Sequence, residues 1–326
     1  MKSLLKKIVK RSLLLSSLFY IFYKVCIKIK AKLGNIHSQS GTTHATLDLE
    51  QSLNYIQDVF KDYQQVSGRT QFEGCLAECG PGDNVGVALM FLNNGISSVD
   101  LPDRFYSLRN AAQQASIYQA LCQRYPTIQA LFEDQQNFDE THMPRLKRYY
   151  GDEAAAEQFF DRHQGYDYII SRSVLEHLDD PLLALKKMVQ ALKPGGLLIH
   201  KVDLRDHEMF TPYSHALKFL EVPSWIYQWM VHGTGYPNRV LFHRYRTVLQ
   251  ALNPGCHFYV AGLHGIEHKD YIYPIDAIPE AMKQQSLSYV NAHRQNLAAE
   301  FQSIPSEDLM IASFFLVCEK PIKAIL

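Results

Sequence analysis

The stretch "CLAECGPGDNVGVALMFLNNG" (Cys75–Gly95) decides how the chain is read. An apolar run ends in an acid, Glu78. Two glycines follow one residue apart, Gly80 and Gly82, and a second apolar run begins at Val85. The first run has the length of a buried strand and the second that of a helix, with Asp83 and Asn84 placed to cap it. In an open α/β sheet a ligand sits beyond the carboxyl ends of the strands, so Glu78 projects to the binding rim. Gly80 and Gly82 remove the side chains that would keep a ligand from the backbone. The same glycines would bring a pyrophosphate to the helix N-terminus. A carboxylate just before the turn disfavours that anion and favours a ligand with positive charge, such as an ammonium or a sulfonium. Taken alone, Gly80-x-Gly82 with Gly86 also fits a loose nicotinamide-cofactor fingerprint.

Working outward, short apolar runs alternate with helical ones. A helix over Leu47 to Gln64 precedes the opening strand. Ser98–Leu101 follows, then a helical region from Asn110 to Phe132, a strand at "LKRYY" (Leu146–Tyr150), another at Tyr168–Ser171, a helix at Pro181–Leu192 and a strand at Leu197–Val202. Strands alternating with helices predict an α/β fold, a doubly wound and mostly parallel sheet covered on both faces. Two late runs, His257–Leu263 and Asp308–Cys318, suit further strands at an antiparallel edge. Between them and the alternating part lies an insert at about 208–253, crowded with aromatics.

The chain has 326 residues, 47% of them hydrophobic, enough for a large packed core. Lys+Arg and Asp+Glu are both 33, so no excess positive charge selects for nucleic acid. Six scattered cysteines form no CxxC pair, which predicts a reducing compartment, no disulfide framework and no zinc site of that type.

Charge is segregated at the start. Lys2, Lys6, Lys7, Lys10, Arg11, Lys24, Lys28, Lys30 and Lys32 precede the first acid, Asp48. Apolar residues recur there at spacings of three and four, which predicts a basic amphipathic helix over 1–34. Its uninterrupted apolar stretch, Leu13 to Tyr23, is too short to span a bilayer, which takes about 20 residues. Three readings stay open: a helix lying on an anionic membrane surface, one packed on its own domain with a solvated basic face, or a signal segment or true span. A polar linker at 35–46 leads to the body at 47–326. The expected location is cytoplasmic, peripheral at the inner membrane face in the first reading.

From Gly165 to His207 the sequence "GYDYIISRSVLEHLDDPLLALKKMVQALKPGGLLIHKVDLRDH" runs strand, helix, turn and strand without a gap. Here the chain resembles the class I S-adenosylmethionine-dependent methyltransferases. "ECGPG" is similar to their glycine-rich first motif, "LPDRF" to the acid ending their second strand, "YYGDEA" to their third-strand turn, and "SVLEHLDDP" with "LKPGG" to their fourth and fifth strand elements. "DLMIASFFLVCEKP" resembles their terminal strand. The resemblance implies a Rossmann-like, seven-stranded sheet with helical insertions and S-adenosyl-L-methionine as cofactor. It implies that Glu78, Gly80 and Gly82 face the methionyl end and that Asp103, with Asp100 the alternative, takes the ribose hydroxyls. It further implies that Asp152 meets the adenine amino group and that Ser171 offers backbone to the methionyl ammonium.

Methyl transfer needs an acceptor lone pair aimed at the methyl carbon, and an acceptor hydroxyl gains from a base near neutral pKa. "HKVDLRDH" places His200, Asp203, Asp206 and His207 along and beyond the fifth strand. His207 is the candidate base, oriented by Asp203 or Asp206. The competing reading is a loop of caps and ion pairs that includes Arg205. His177 reads as a packing or capping residue and His200 as a core histidine. No metal site is expected. The acceptor class the sequence favours is a small molecule, a sugar or a lipid-linked group. The rival to an enzyme is a methyltransferase-like scaffold that binds a partner without turnover.

Overall fold

The structure, a computed structural model, describes residues 9–32, 37–38, 41–133, 138–253, 255–267 and 271–322. The opening periodicity forms helix α1 (Leu13–Lys32), followed by the two-residue strand β1 (His37–Ser38). Asp48 then caps α2 (Leu49–Ser67). Its carboxylate accepts the Gln51 amide at 2.8 Å while the Gln51 side chain accepts the Asp48 N–H at 3.0 Å. Gly68, left-handed at φ 66°, ends the helix. The quoted stretch becomes β2 (Gly74–Cys79) and α3 (Gly86–Asn93), as its two apolar runs predict.

Next come β3 (Ile96–Asp103), β4 (Tyr106–Ser107), α4 (Ala111–Arg124), β5 (Leu146–Tyr150), α5 (Ala156–Arg162) and β6 (Tyr166–Arg172). The chain continues through α6 (Pro181–Ala191), β7 (Leu192–Asp203), α7 (Ser224–Val231), α8 (Phe242–Leu252), β8 (His257–Leu263) and β9 (Tyr273–Pro274). It ends with α9 (Glu280–His293), α10 (Ala299–Gln302), α11 (Ser306–Leu309) and β10 (Ile311–Glu319).

Eight strands hydrogen-bond in the order β5-β3-β2-β6-β7-β10-β8-β9. The expected seven is therefore corrected to eight. The added strand is β9, whose two residues pair antiparallel with β8, Tyr259 opposite Pro274 and Val260 opposite Tyr273. So short a segment carries no period for sequence to reveal. At the other side of the sheet β2 pairs in parallel with β3 and β6, and β3 with β5.

By compactness the chain divides into two units. The first comprises Ile36–Arg172, Leu183–His200 and Val317–Leu326. Its core holds Leu76, Ala77, Leu89, Phe91, Leu101 and Ile170, all fully buried. Strand order reverses between β2 and β6, where the chain leaves outward through β3 and β5 and returns. Register aligns the strand ends there, Cys79 with Ser171 and Asp103 with Tyr150. The carboxyl rim at this switch is the place where such a sheet binds ligands.

The second unit comprises Met1–Asn35, Ser173–Leu182 and Lys201–Leu316. The aromatic insert supplies its core through Phe210, Phe219, Tyr227, Phe242 and Tyr245, while Trp225 and Trp229 stay exposed. Helix α1 packs against α7 within this unit.

Cys256 and Cys318 are disulfide-bonded, which corrects the expectation of a chain without disulfides. The two cysteines are far apart in sequence. Cys26, Cys75, Cys79 and Cys122 are free.

Candidate functional site

In the first unit, Glu78, next to last in β2, has its side chain buried and Oε2 without a hydrogen-bond partner among the described residues. Burial pushes its carboxyl up to about 7, against the pull of the Arg148 charge. Gly80 and Gly82 follow at φ 64° and 69°, a region L-residues rarely occupy. A Cβ on Gly82 would lie 2.5 Å from the Gly41 carbonyl oxygen.

The loop is held from both sides. The Asp83 amide donates to Gly41 O at 2.8 Å, and the Asp83 carboxylate accepts the amides of His44 and Ala45. Arg148 donates to Gly82 O at 3.1 Å while pairing with buried Glu140 at 2.7 Å. Glu140 also receives Arg109 and the Tyr118 hydroxyl, whose oxygen accepts the Val85 amide. A buried network of this kind fixes the glycine turn because each member would be costly to leave unpaired.

Asp103 ends β3 and accepts the Phe105 amide at 3.0 Å. Burial raises its carboxyl to about 6, opposed by the amides of Phe105 and Gly82 and by Arg148. Asp100 is engaged elsewhere, accepting the hydroxyls of Tyr166 at 2.6 Å and Tyr149 at 3.3 Å. Asp152, on the turn after β5, is exposed and pairs with Arg104 at 3.1 Å. Ser171 is buried, its hydroxyl 2.7 Å from His200 Nδ1. Burial drives His200 down to about 3, which keeps it neutral in the core.

In the second unit the turn after β6 and the end of β7 bring Glu176, His177, Asp203 and His207 together. Glu176 is buried; Oε1 accepts the Asp203 amide at 3.1 Å, and Oε2 has no partner among the described residues. Burial, then the Asp203 charge, raises its carboxyl well above the usual range. His207 Nε2 lies 3.9 Å from Glu176 Oε1 and 4.0 Å from Asp203 Oδ2. Its ring stands edge-on to His177, 4.7 Å between centroids. His177 Nδ1 contacts Gly235 O at 2.8 Å, and burial lowers the ring to about 4. For Asp203, burial opposes ionisation, yet hydrogen bonds and charge from Arg205 outweigh it and hold the carboxyl below its ordinary value. His207 and Glu208 have φ of 45° and 62°, positive without being glycine. Such strain persists only where the surroundings impose it.

Asp206 is turned to its own loop, where it accepts the amides of Glu208, Phe210 and Thr211 and the Thr211 hydroxyl. The arrangement around His207 can move a proton. The ligand atoms of Glu176, His177 and His207 also lie within 4.8 Å of one another, near enough to hold a cation.

Of the residues expected from sequence, Glu78, Asp103 and Ser171 thus lie at the ends of adjacent strands at one rim, with Gly80 and Gly82 in the turn after β2. His207 and Asp203 meet as well, and Asp206 does not join them. Sequence reading passed over Glu176 and Arg148. The acid preceding His177, in the turn that follows β6, was the signal for the first. An arginine within the apolar setting of a strand, where an unpaired charge is costly, was the signal for the second.

The sequence model of a methyltransferase domain matches residues 56–259, well over half of the chain, and the protein belongs to that methyltransferase family. It is an S-adenosylmethionine-dependent methyltransferase, with S-adenosyl-L-methionine as its cofactor. Similar solved structures include phosphoethanolamine N-methyltransferase 2 of Haemonchus contortus in complex with S-adenosyl-L-methionine. Identity there is 12%, coverage 81% of this chain and 52% of that one, and the TM-score 0.39. Another is the YcgJ protein of Bacillus subtilis, at 11% identity, 82% and 97% coverage and a TM-score of 0.39. No curated protein matches the sequence.

Proposed function

We propose that the rim of the first unit holds the cofactor through Glu78, Gly80, Gly82, Asp103 and Ser171. The observation that carries this reading is the buried Glu78 carboxylate with an unpartnered oxygen, beside two left-handed glycines. A buried carboxylate is stabilised when a cation arrives, so the donor set fits a ligand bearing ammonium and sulfonium charge. When bound, the cofactor supplies a methyl group made electrophilic by its sulfonium. Asp103 takes the ribose hydroxyls in preference to Asp100, whose oxygens already serve two tyrosines. Asp152 serves the adenine amino group only by sharing its carboxylate with Arg104.

The acceptor is a small molecule, sugar or lipid-linked group whose nucleophilic atom carries a proton. His207 takes that proton on its imidazole, whose Nε2 already lies 3.4 Å from the Asp203 carbonyl oxygen. The nearby Asp203 carboxylate, held ionised by Arg205, stabilises the imidazolium that forms, and His177, kept neutral by burial, holds the ring on edge. Asp206 positions the backbone that carries His207 and does not touch the acceptor.

The test combines equilibrium binding of S-adenosylhomocysteine with transfer of labelled methyl to a panel of alcohols, amines and lipid-linked sugars. Glu78→Ala should abolish binding. His207→Asn should keep binding and lose transfer. Binding that survives in Glu78→Ala would remove the rim assignment, and binding with no transfer to any acceptor would restore the scaffold reading.

A further inference from the structure

Helix α1 is oriented against the usual rule. Its buried side chains are Ser16, Ser17 and Tyr20, while Leu14, Leu18 and Phe22 are 70%, 57% and 69% exposed. Val25 and Ile29 continue the same outward stripe at spacings of three and four. The polar groups of the inward face are satisfied, and Leu13, Ile21 and Cys26 flank it half-buried. Ser16 donates to Val9 O and Ser17 to Leu13 O, both at 2.8 Å, and the Tyr20 hydroxyl donates to Met209 O at 3.1 Å. The Tyr20 ring also stands edge-on to Tyr236 at 5.0 Å.

The neighbouring helix α7 repeats the arrangement. Tyr227 and Met230 are buried, while Trp225 and Trp229, one turn apart, are 70% and 65% exposed. They are the only tryptophans in the chain. Exposed apolar patches of this breadth mark an interaction surface.

We infer that α1 and α7 together form a docking surface for an anionic lipid bilayer. Charge selects this occupant: nine Lys and Arg residues precede residue 33, of which Lys10 and Arg11 are engaged by the Glu208, Thr211 and Tyr213 carbonyls, and no acid occurs before Asp48. A basic stretch next to an apolar helix face suits the boundary of an anionic leaflet. Exposed tryptophans belong at the same depth, where the ring is buried and the indole N–H stays near the headgroups. The helix lies on the membrane and does not cross it, since no described helix is long and apolar enough to span one. This inference stands independently of how the acceptor is bound.

The two tryptophans make the test intrinsic. The full-length protein is titrated with vesicles of phosphatidylcholine alone and of phosphatidylcholine with phosphatidylglycerol, following tryptophan emission and co-sedimentation. Emission should shift to the blue and protein should sediment with the anionic vesicles, and salt should weaken both effects. Leu18→Glu with Phe22→Glu should abolish binding, and Trp225→Ala, with Trp229 as reporter, should weaken it roughly tenfold. These side chains are exposed, so the thermal melts of the variants should match the parent. Failure to bind vesicles, or equal binding to neutral and anionic ones, overturns the inference. Blue emission without lipid, together with a dimer in light scattering, assigns the surface to a second copy of the chain instead.

Discussion

Replacing Glu78 with glutamine should stabilise the cofactor-free protein while removing its affinity for cofactor. The carboxyl has a pKa of about 7 in the fold against 4.5 outside it, with burial the main cause. Between those values the folded state binds a proton that the unfolded chain has released, so stability falls as pH rises through this window. At 1.36 kcal/mol per unit, the charge costs the empty protein roughly 3 kcal/mol above pH 7. Glutamine keeps the shape and carries no charge. At pH 8 the variant's melting temperature should rise by several degrees, at roughly 2 °C or more per kcal/mol. At pH 4 the two proteins should melt together. Cofactor binding should fall by about two to four orders of magnitude, because leaving one member of a buried charge pair unmatched costs roughly 3–5 kcal/mol. Scanning fluorimetry from pH 4 to 8 with and without S-adenosylhomocysteine, backed by calorimetric titration, reads both effects. A variant less stable at pH 8 that binds as tightly as the parent would refute the argument.

His207→Asn should lower transfer by about 10²–10⁴, the usual worth of a positioned base, with homocysteine-product affinity unchanged. Chelators should leave the parent's rate unchanged, and a loss restored by added metal would reassign Glu176, His177 and His207 to a cation. Asp206→Ala should destabilise the protein by roughly 2–4 kcal/mol in denaturant melts, since it leaves several buried amides unmatched, and any protein that folds should keep its proton-transfer pH profile. Gly82→Ala should weaken cofactor binding and cost about 1–3 kcal/mol of stability, because its Cβ would meet the Gly41 carbonyl at 2.5 Å in a left-handed conformation. Unchanged binding would mean that the turn relaxes freely.

Sequence carried the fold well where local chemistry and long-range packing agree. Asp48 and Gln51 announce the start of α2, and "LKRYY" is the whole of β5. Around the site, the order acid, glycine, glycine gave the place of Glu78, Gly80 and Gly82 at a strand end and its turn, and left the ligand open. The roles of Asp203 and Asp206 were not legible. Two acids beyond a strand look alike in sequence, and only the fold shows one facing His207 and the other closing its own loop. Helical periodicity in α1 likewise gave the existence of two faces and not which one turns inward. The ordinary expectation, apolar side in, is reversed. The run "LKPGG" does stop α6, at Ala191, but β7 begins at Leu192 and not at the expected Leu197, because backbone pairing extends the strand through the turn residues.

The contact of Gly41 and its neighbours with the glycine turn bears on how the protein should be cut. A reader of the sequence would trim the chain to Leu47, judging everything earlier to be tether. That cut would take away the Gly41 carbonyl and the His44 and Ala45 amides, leaving Asp83 with a lone donor and a lone acceptor beside Gly82. The shortened protein would then lose ligand affinity through a slackened turn, and the loss would be mistaken for a contribution from the lipid-facing helix. A cut placed between Lys32 and Gly41 separates the two effects.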